Sequence, residues 1–149
     1  MKPITIRQAV LSDLDALAPL FDSYRQFYGR ASDITAAREF LLNRFQQEES
    51  VLFLASQEEK RLGFTQLYPS FSSVSLARTF LLNDLFVIPE GRRKGIATRL
   101  LSVAADYARG VNAIRLSLST EVTNATAQAL YESAGWKQDT QFLVYHFQL

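Results

Sequence analysis

Between Leu82 and Leu101 the chain reads Leu-Asn-Asp-Leu-Phe-Val-Ile-Pro-Glu-Gly-Arg-Arg-Lys-Gly-Ile-Ala-Thr-Arg-Leu-Leu, and no other stretch restricts the fold so tightly. An apolar run that meets a proline turn, a basic glycine loop and then an amphipathic pattern is a strand feeding a helix. The residues Arg92 to Ala97 bring a series of backbone N–H groups to the helix N-terminus, where the first amides lack internal partners and the helix dipole is positive. Gly95 and Ala97 keep bulky side chains out of the approach, and Arg92, Arg93 and Lys94 add charge. A charge-assisted hydrogen bond contributes roughly 1.5–3 kcal/mol, so a few amides and an arginine suffice to hold a diphosphate. The alternative for such a cluster is a solvated, charged helix start.

The loop has neither the Gly-Lys-Ser/Thr ending of a P-loop nor the three glycines of a dinucleotide fingerprint, so ATP and NAD are not its natural ligands. It matches Arg/Gln-x-x-Gly-x-Gly/Ala at Arg92, Gly95 and Ala97. Preceded by Asp-Leu-Phe-Val-x-Pro, it resembles the acetyl-CoA loop of the GNAT superfamily of N-acetyltransferases. A second stretch, Asn124-x-x-Ala127-x-x-Leu130-Tyr131-x-x-x-Gly135-Trp136, is similar to that family's later motif. Read alone, Asn124 is a helix cap and Tyr131 a core aromatic. Together the two motifs stand in the family's order, with one helix and one strand between them, and the resemblance covers roughly the C-terminal half.

With 149 residues, 48% of them apolar, the length is that of one domain, 1–149, with a well-buried core. Sixteen basic against fifteen acidic side chains leave no global field to draw the protein to nucleic acid or membrane, so the Arg92–Lys94 cluster is a local device. The chain has no cysteine, hence no disulfide, thiolate ligand or thiol nucleophile, and its single histidine argues against a histidine metal site. Neither a signal peptide nor a membrane span is recognisable, and a cytoplasmic location is expected.

Along the chain, Ile4 and Ile6 suggest a first strand, and Leu14, Leu17, Leu20 and Phe21 a helix after Ser12-Asp13. A break at Gly29–Ser32 precedes a second helix over Ile34, Ala37, Phe40, Leu41 and Phe45. Residues 51–55 and 61–68 read as a hairpin, Pro69–Ser75 as a serine-rich loop, and Thr79–Ile88 as the longest strand. The helix after the glycine loop stops at Gly110, and Ala113–Ser119 alternates as a strand, which calls for a parallel pair with a right-handed crossover. Asn124 caps a helix stopped by Gly135, and 136–139 with 141–147 read as a last strand pair.

The resemblance implies an α/β (α+β) GNAT fold: a mixed, twisted, seven-stranded sheet flanked by about four helices, with two central parallel strands splayed apart. It implies acetyl-CoA as cosubstrate, with no metal. The pyrophosphate would lie on Arg92, Arg93, Lys94, Gly95, Ile96, Ala97 and Thr98, and the pantetheine arm would pair with the backbone of Phe86 and Val87 like an added strand. Asn124 would bond the arm or cap its helix, and the Tyr131 hydroxyl would sit near the thioester sulfur as proton donor to the thiolate.

Transfer also needs a neutral amine, and deprotonating an alkylamine of pKa about 10.4 at neutral pH costs roughly 4–5 kcal/mol. Strict alternation over Leu81, Asn83, Leu85 and Val87 projects Asn83 where relatives carry a base, and Asp84 to the opposite face. Asparagine cannot be a base, so the expected route is through a water that Asn83 orders. A bulge before Val87 would change the orientation and make Asp84 the candidate. Asp84 is otherwise a structural residue of the turn.

Tyr24 and Tyr28 are the candidate acceptor-binding residues, since aromatic faces suit a cation such as a polyamine or a lysine-like amine; Phe27 reads as core. Asp22, Asp33 and Glu39 are further sources of attraction. The run Tyr-Arg-Gln-Phe-Tyr with Asn-Asp-Leu-Phe-Val looks like diamine and histone-type members of the superfamily. The acceptor class that the resemblance implies is a small-molecule or lysine-like primary amine, attacking directly in a ternary complex. The competing reading is a non-catalytic acyl-CoA sensor or partner-binding module, motivated by Asn83. A nucleic-acid binder fits poorly with the balanced charge. Homodimerisation is expected from relatives whose C-terminal strands pair between subunits.

Overall fold

The computed structural model describes residues 2–149. It divides into two compact units, one running to Ser119 and the other Thr120–Leu149. In the first, β1 (Thr5–Gln8) leads through a short 3-10 turn to α1 (Leu14–Phe27) and α2 (Ile34–Gln46). Then come β2 (Val51–Gln57), β3 (Lys60–Ser72), β4 (Ala77–Val87), a 3-10 turn at Pro89–Gly91, α3 (Ile96–Gly110) and β5 (Arg115–Ser117). The five strands form one sheet in chain order, antiparallel except for the parallel pair β4–β5.

Alternation along the strands sorts the core into two layers. On one face Leu52, Leu54, Phe64 and Phe86 pack with Leu14, Leu17, Leu20 and Phe21 of α1 and with Ala37 and Leu41 of α2. On the other, Phe53 and Phe80 each meet the ring of Tyr107 on α3, at centroid distances of 5.6 and 5.8 Å. Ile96, Leu100, Leu101, Ala104 and Ala108 recur on α3 at helical spacing and are all buried.

Strand β3 continues through Pro69 to Ser72, where the sequence suggests a loop. Proline has no ladder N–H, but β2 reaches only as far as the Val51–Leu67 pair, so beyond Leu67 β3 is an edge on that side while Pro69 still faces Phe80 on the other.

In the second unit α4 (Ala125–Ser133) begins at Asn124, whose side chain accepts from the Ala127 amide at 3.1 Å. It ends in a Schellman closure: Gly135, at φ +94°, gives its N–H to Glu132 C=O, and Trp136 N–H reaches Tyr131 C=O at 2.9 Å. The sheet has five strands and not seven, because no strand forms among the described residues after α4. A strand needs a ladder partner, and Asp139 Oδ1 instead takes the amides of Gln141 and Phe142 (2.9 and 3.2 Å) into a turn. Phe142, Leu143, Val144, Tyr145 and Phe147 are exposed.

Candidate active site

The site is created by an irregularity in β4. Its register with β3 runs Phe86–Phe64, Leu85–Thr65, Asp84–Gln66 and then Leu82–Leu67, leaving Asn83 as the extra residue of a β-bulge. Unbroken alternation would put Phe80, Leu82, Asp84 and Phe86 on one face. The bulge reverses the phase, so Phe80 meets α3 while Phe86 faces α1, its ring 6.0 Å from that of Tyr24. Asp84 goes with Phe86. Asn83 is exposed, and it is Asp84, not Asn83, whose side chain lies on the face of Phe86.

Asp84 is 2% exposed. Its Oδ2 accepts from Gln66 Nε2 at 2.5 Å and its Oδ1 from Asn83 Nδ2 at 2.8 Å. The Thr65 hydroxyl donates to its backbone carbonyl at 2.8 Å. Tyr24, whose hydroxyl lies 3.4 Å from the Asn83 carbonyl, also bears on the carboxylate. Burial raises the pKa of Asp84, against the three side-chain donors that favour its anion. Burial first, and then the Asp84 carboxylate, drive Tyr24 and Tyr68 well above the usual phenol range, so both remain protonated. Asp84 is thus a buried carboxyl group held by neutral side-chain donors, with no ion pair to it among the described residues.

Aromatic rings wall this carboxylate. The Tyr24 ring lies 5.5 Å from Phe64 and 5.2 Å from Tyr28. Phe27, which reads as core in the sequence, is 59% exposed and lies 5.3 Å from Tyr28. Of the other acids, Asp22 is consumed by structure: it accepts from Ser32 Oγ and Asp33 N, both at 2.7 Å, and from Gln26 at 3.1 Å. These bonds, the Asp33 amide foremost, hold its carboxyl below the ordinary range and staple the α1–α2 loop. Asp33 caps α2 through the Ala36 amide.

Beyond the bulge lies the glycine loop. Strand β5 pairs with Thr79–Leu81 and no further, so β4 from Leu82 to Val87 parts from it. Ile88 N–H bonds Leu62 C=O at 2.9 Å, and counting back along an antiparallel ladder turns the backbone of Phe86 toward β3 and that of Val87 and Leu85 toward the open side. The backbone groups turned away from β3 are thus those of Leu85 and Val87, and not those of Phe86. The Val87 carbonyl accepts from Arg92 Nε at 3.1 Å, and the Arg92 guanidinium lies 5.6 Å from the Phe27 ring centroid.

Gly91 is buried; a Cβ there would meet Val87 Cγ1 at 3.0 Å and Ile96 Cδ1 at 3.3 Å. Gly95 is the α3 N-cap at φ +74°, a left-handed conformation suited to glycine, and a Cβ on it would meet only open space. No side chain caps the helix, and its first ladder bond is Arg99 N–H to Gly95 C=O at 3.1 Å. The amides of Ile96, Ala97 and Thr98 precede that bond, beside exposed Arg92, Arg93 and Lys94. Uncapped amides, an unobstructed glycine and three cations are the donor set a diphosphate requires.

Tyr131 and Asn124 belong to the second unit. Asn124 is the α4 cap, and the Tyr131 ring stands 6.1 Å from Trp136. A cavity of about 360 Å³ lined by Arg44, Glu48, Arg78, Phe80 and Tyr107 opens where β4 begins and includes neither Asp84 nor Tyr24. Among the described residues no cluster of metal-ligating side chains occurs, and no helix is long and apolar enough to cross a membrane.

Sequence reasoning missed Gln66 altogether, since a glutamine inside a strand carries no motif. Its signal is the buried polar position on the face of Phe64.

Comparison with known proteins adds an independent line. A family model described as "Acetyltransferase (GNAT) family" matches residues 17–136. The chain is 51% identical over 142 residues to an uncharacterized N-acetyltransferase, YhfO, of Bacillus subtilis (strain 168), covering 95% of each. It is 36% identical over 129 residues to a probable acetyltransferase of Haemophilus influenzae, covering 84% of each. A crystal structure of a probable acetyltransferase superposes with a TM-score of 0.93 at 47% identity, over 97% of each chain.

Proposed function

The chain belongs to the GNAT family of acetyltransferases, and from that premise we propose that it moves an acetyl group from acetyl-CoA to a cationic primary amine with Asp84 as the general base. The observation that carries this reading is the bulge at Asn83, which turns a buried carboxylate with no fixed counter-ion toward the aromatic wall of Tyr24 and Tyr28. An ammonium ion supplies the missing charge, and tyrosine faces stabilise it. Small-molecule and lysine-like amines both meet that description.

The residues present suit the cosubstrate. The amides of Ile96, Ala97 and Thr98, with Arg92, Arg93 and Lys94, would hold the pyrophosphate, while the Leu85 backbone and the Val87 N–H, which face away from β3, would align the arm. Acetyl-CoA, when bound, supplies an activated acyl carbon and a thiol leaving group. Asp84 takes a proton from the bound ammonium, and the N–H pair stays on nitrogen as the attacking lone pair. A carboxyl whose pKa lies above its ordinary value is a better match to an amine than a surface aspartate, because it keeps the proton it receives. The Tyr131 phenol is proposed as proton donor to the leaving sulfur, a role carried by the Asn124–Trp136 motif. An Asn83-bound water is no longer needed.

The test is thiol release from acetyl-CoA with spermidine, kanamycin and a lysine peptide as acceptors, with CoA binding measured by calorimetry. Asp84→Asn is expected to bind CoA within about twofold of the parent and to lose roughly a hundredfold or more in transfer. Undiminished transfer by Asp84→Asn would overturn the assignment. The non-catalytic sensor reading rested on an asparagine at the base position, and the bulge supports a carboxylate there instead.

A further inference from the structure

Resting on the reading of Asp84 as base, we propose that Gln66 is a positioning residue of the transfer reaction, fixing the Asp84 carboxylate without neutralising it. Gln66 is fully buried, shares the face of Phe64, and sits directly across the ladder from Asp84 at the last register pair before the bulge. Its Nε2 donates to Asp84 Oδ2, while its Oε1 has no hydrogen-bond partner among the described residues. A buried amide oxygen without a partner costs stability that a leucine or methionine of similar volume would not. The residue is therefore ill-suited to a purely structural part.

What an amide offers at this position is a donor with no charge. An arginine or lysine would pair permanently with Asp84, holding it ionised and leaving nothing to attract an ammonium ion. The groups that face the carboxylate are Tyr24 from α1, Gln66 and Tyr68 from β3, and Asn83 on its own strand; Tyr28 lies beyond Tyr24. The cation in this neighbourhood, Arg44 of α2, bears on Tyr68 and pairs with Glu49 at 3.2 Å. Gln66 and Asn83 thus take one carboxylate oxygen each. The amide also serves both protonation states: once Asp84 has received the proton, rotation of the Gln66 amide presents Oε1 as acceptor for the new O–H.

The experiment follows the Asp84 carboxyl directly, by 13C NMR of protein labelled at aspartate, assigned by its absence in Asp84→Asn. Removing a donor to the anion favours the acid form, so Gln66→Met is expected to raise the Asp84 titration midpoint by roughly one pH unit and to move the acid limb of kcat/KM with spermidine by the same amount. Thr65→Val is the structural control: it removes the hydroxyl bonded to the Asp84 main chain, and is expected to lower Tm while leaving the midpoint in place. Gln66→Glu covers the case in which the methionine variant does not fold, since a second carboxyl there must raise the midpoint further. An unchanged midpoint in a folded Gln66 variant overturns the inference even if Asp84→Asn is inactive. A shifted midpoint beside a fully active Asp84→Asn overturns instead the general-base reading on which the inference rests.

Discussion

Asp84 costs the fold something as an ion, and this gives a signature that separates it from the other buried carboxylates. Its pKa is raised by burial, so its favourable contribution exists below the unfolded value, near 3.9, and is lost as pH rises through the folded pKa. We predict that the Tm of Asp84→Asn minus that of the parent grows as pH is raised from 4 to 8. A constant difference would contradict the shift. Asp22 has the opposite sign: its carboxyl is lowered by the Asp33 amide, so its contribution is present above the unfolded value and lost as pH falls. Tyr131→Phe is expected to lower turnover roughly tenfold or more, with CoA binding intact by calorimetry. Residue types at the site were legible in the sequence, but their facing was not. Asp84 joins Phe86 and not Phe80 on its face because a single extra residue reverses the alternation, and periodicity cannot see where the extra residue falls.

At the scale of elements, the strand, glycine loop and helix between Ala77 and Gly110 form as their sequence suggests, because turn chemistry, charge and helical spacing agree there. Two glycines make the arrangement testable. At Gly63 a Cβ would lie 2.6 Å from the Phe86 carbonyl oxygen, a backbone atom that cannot yield cheaply. Gly63→Ala should therefore destabilise by about 1–3 kcal/mol, read as a fall in Tm; an unchanged Tm would place the β3–β4 approach elsewhere. Gly95 has open space around it but φ +74°. Gly95→Val should strain the helix cap and weaken CoA binding roughly tenfold, the order of one lost charge-assisted hydrogen bond. The extension of β3 past Pro69 was not legible, because whether a proline breaks a strand depends on which side its neighbour occupies.

For the whole molecule, acid stability follows from how the first elements are tied together. Arg7 reaches Asp13 through both carboxylate oxygens, at 2.8 and 2.7 Å, and this pair, first of all, lowers the Asp13 pKa from 3.8 to about 2. Asp13 and Asp22 both stabilise the ionised fold, so stability is expected to fall between about pH 4 and 2, and Asp13→Asn to lose less than the parent over that interval. The fold class and the order of strands and helices were legible because local patterns agree with it. The count of strands was not: residues 141–147 are rich in aromatic and aliphatic side chains as a strand would be, yet strand formation depends on a partner that the segment itself does not specify. The account stands on the buried carboxylate that the bulge turns to the face of Phe86 and Tyr24. Its most direct test is a crystal structure with CoA and an amine that the protein acetylates. The account predicts the amine nitrogen within hydrogen-bonding distance of the Asp84 carboxylate, between it and the ring of Tyr24; an amine held elsewhere, out of reach of Asp84, would contradict it.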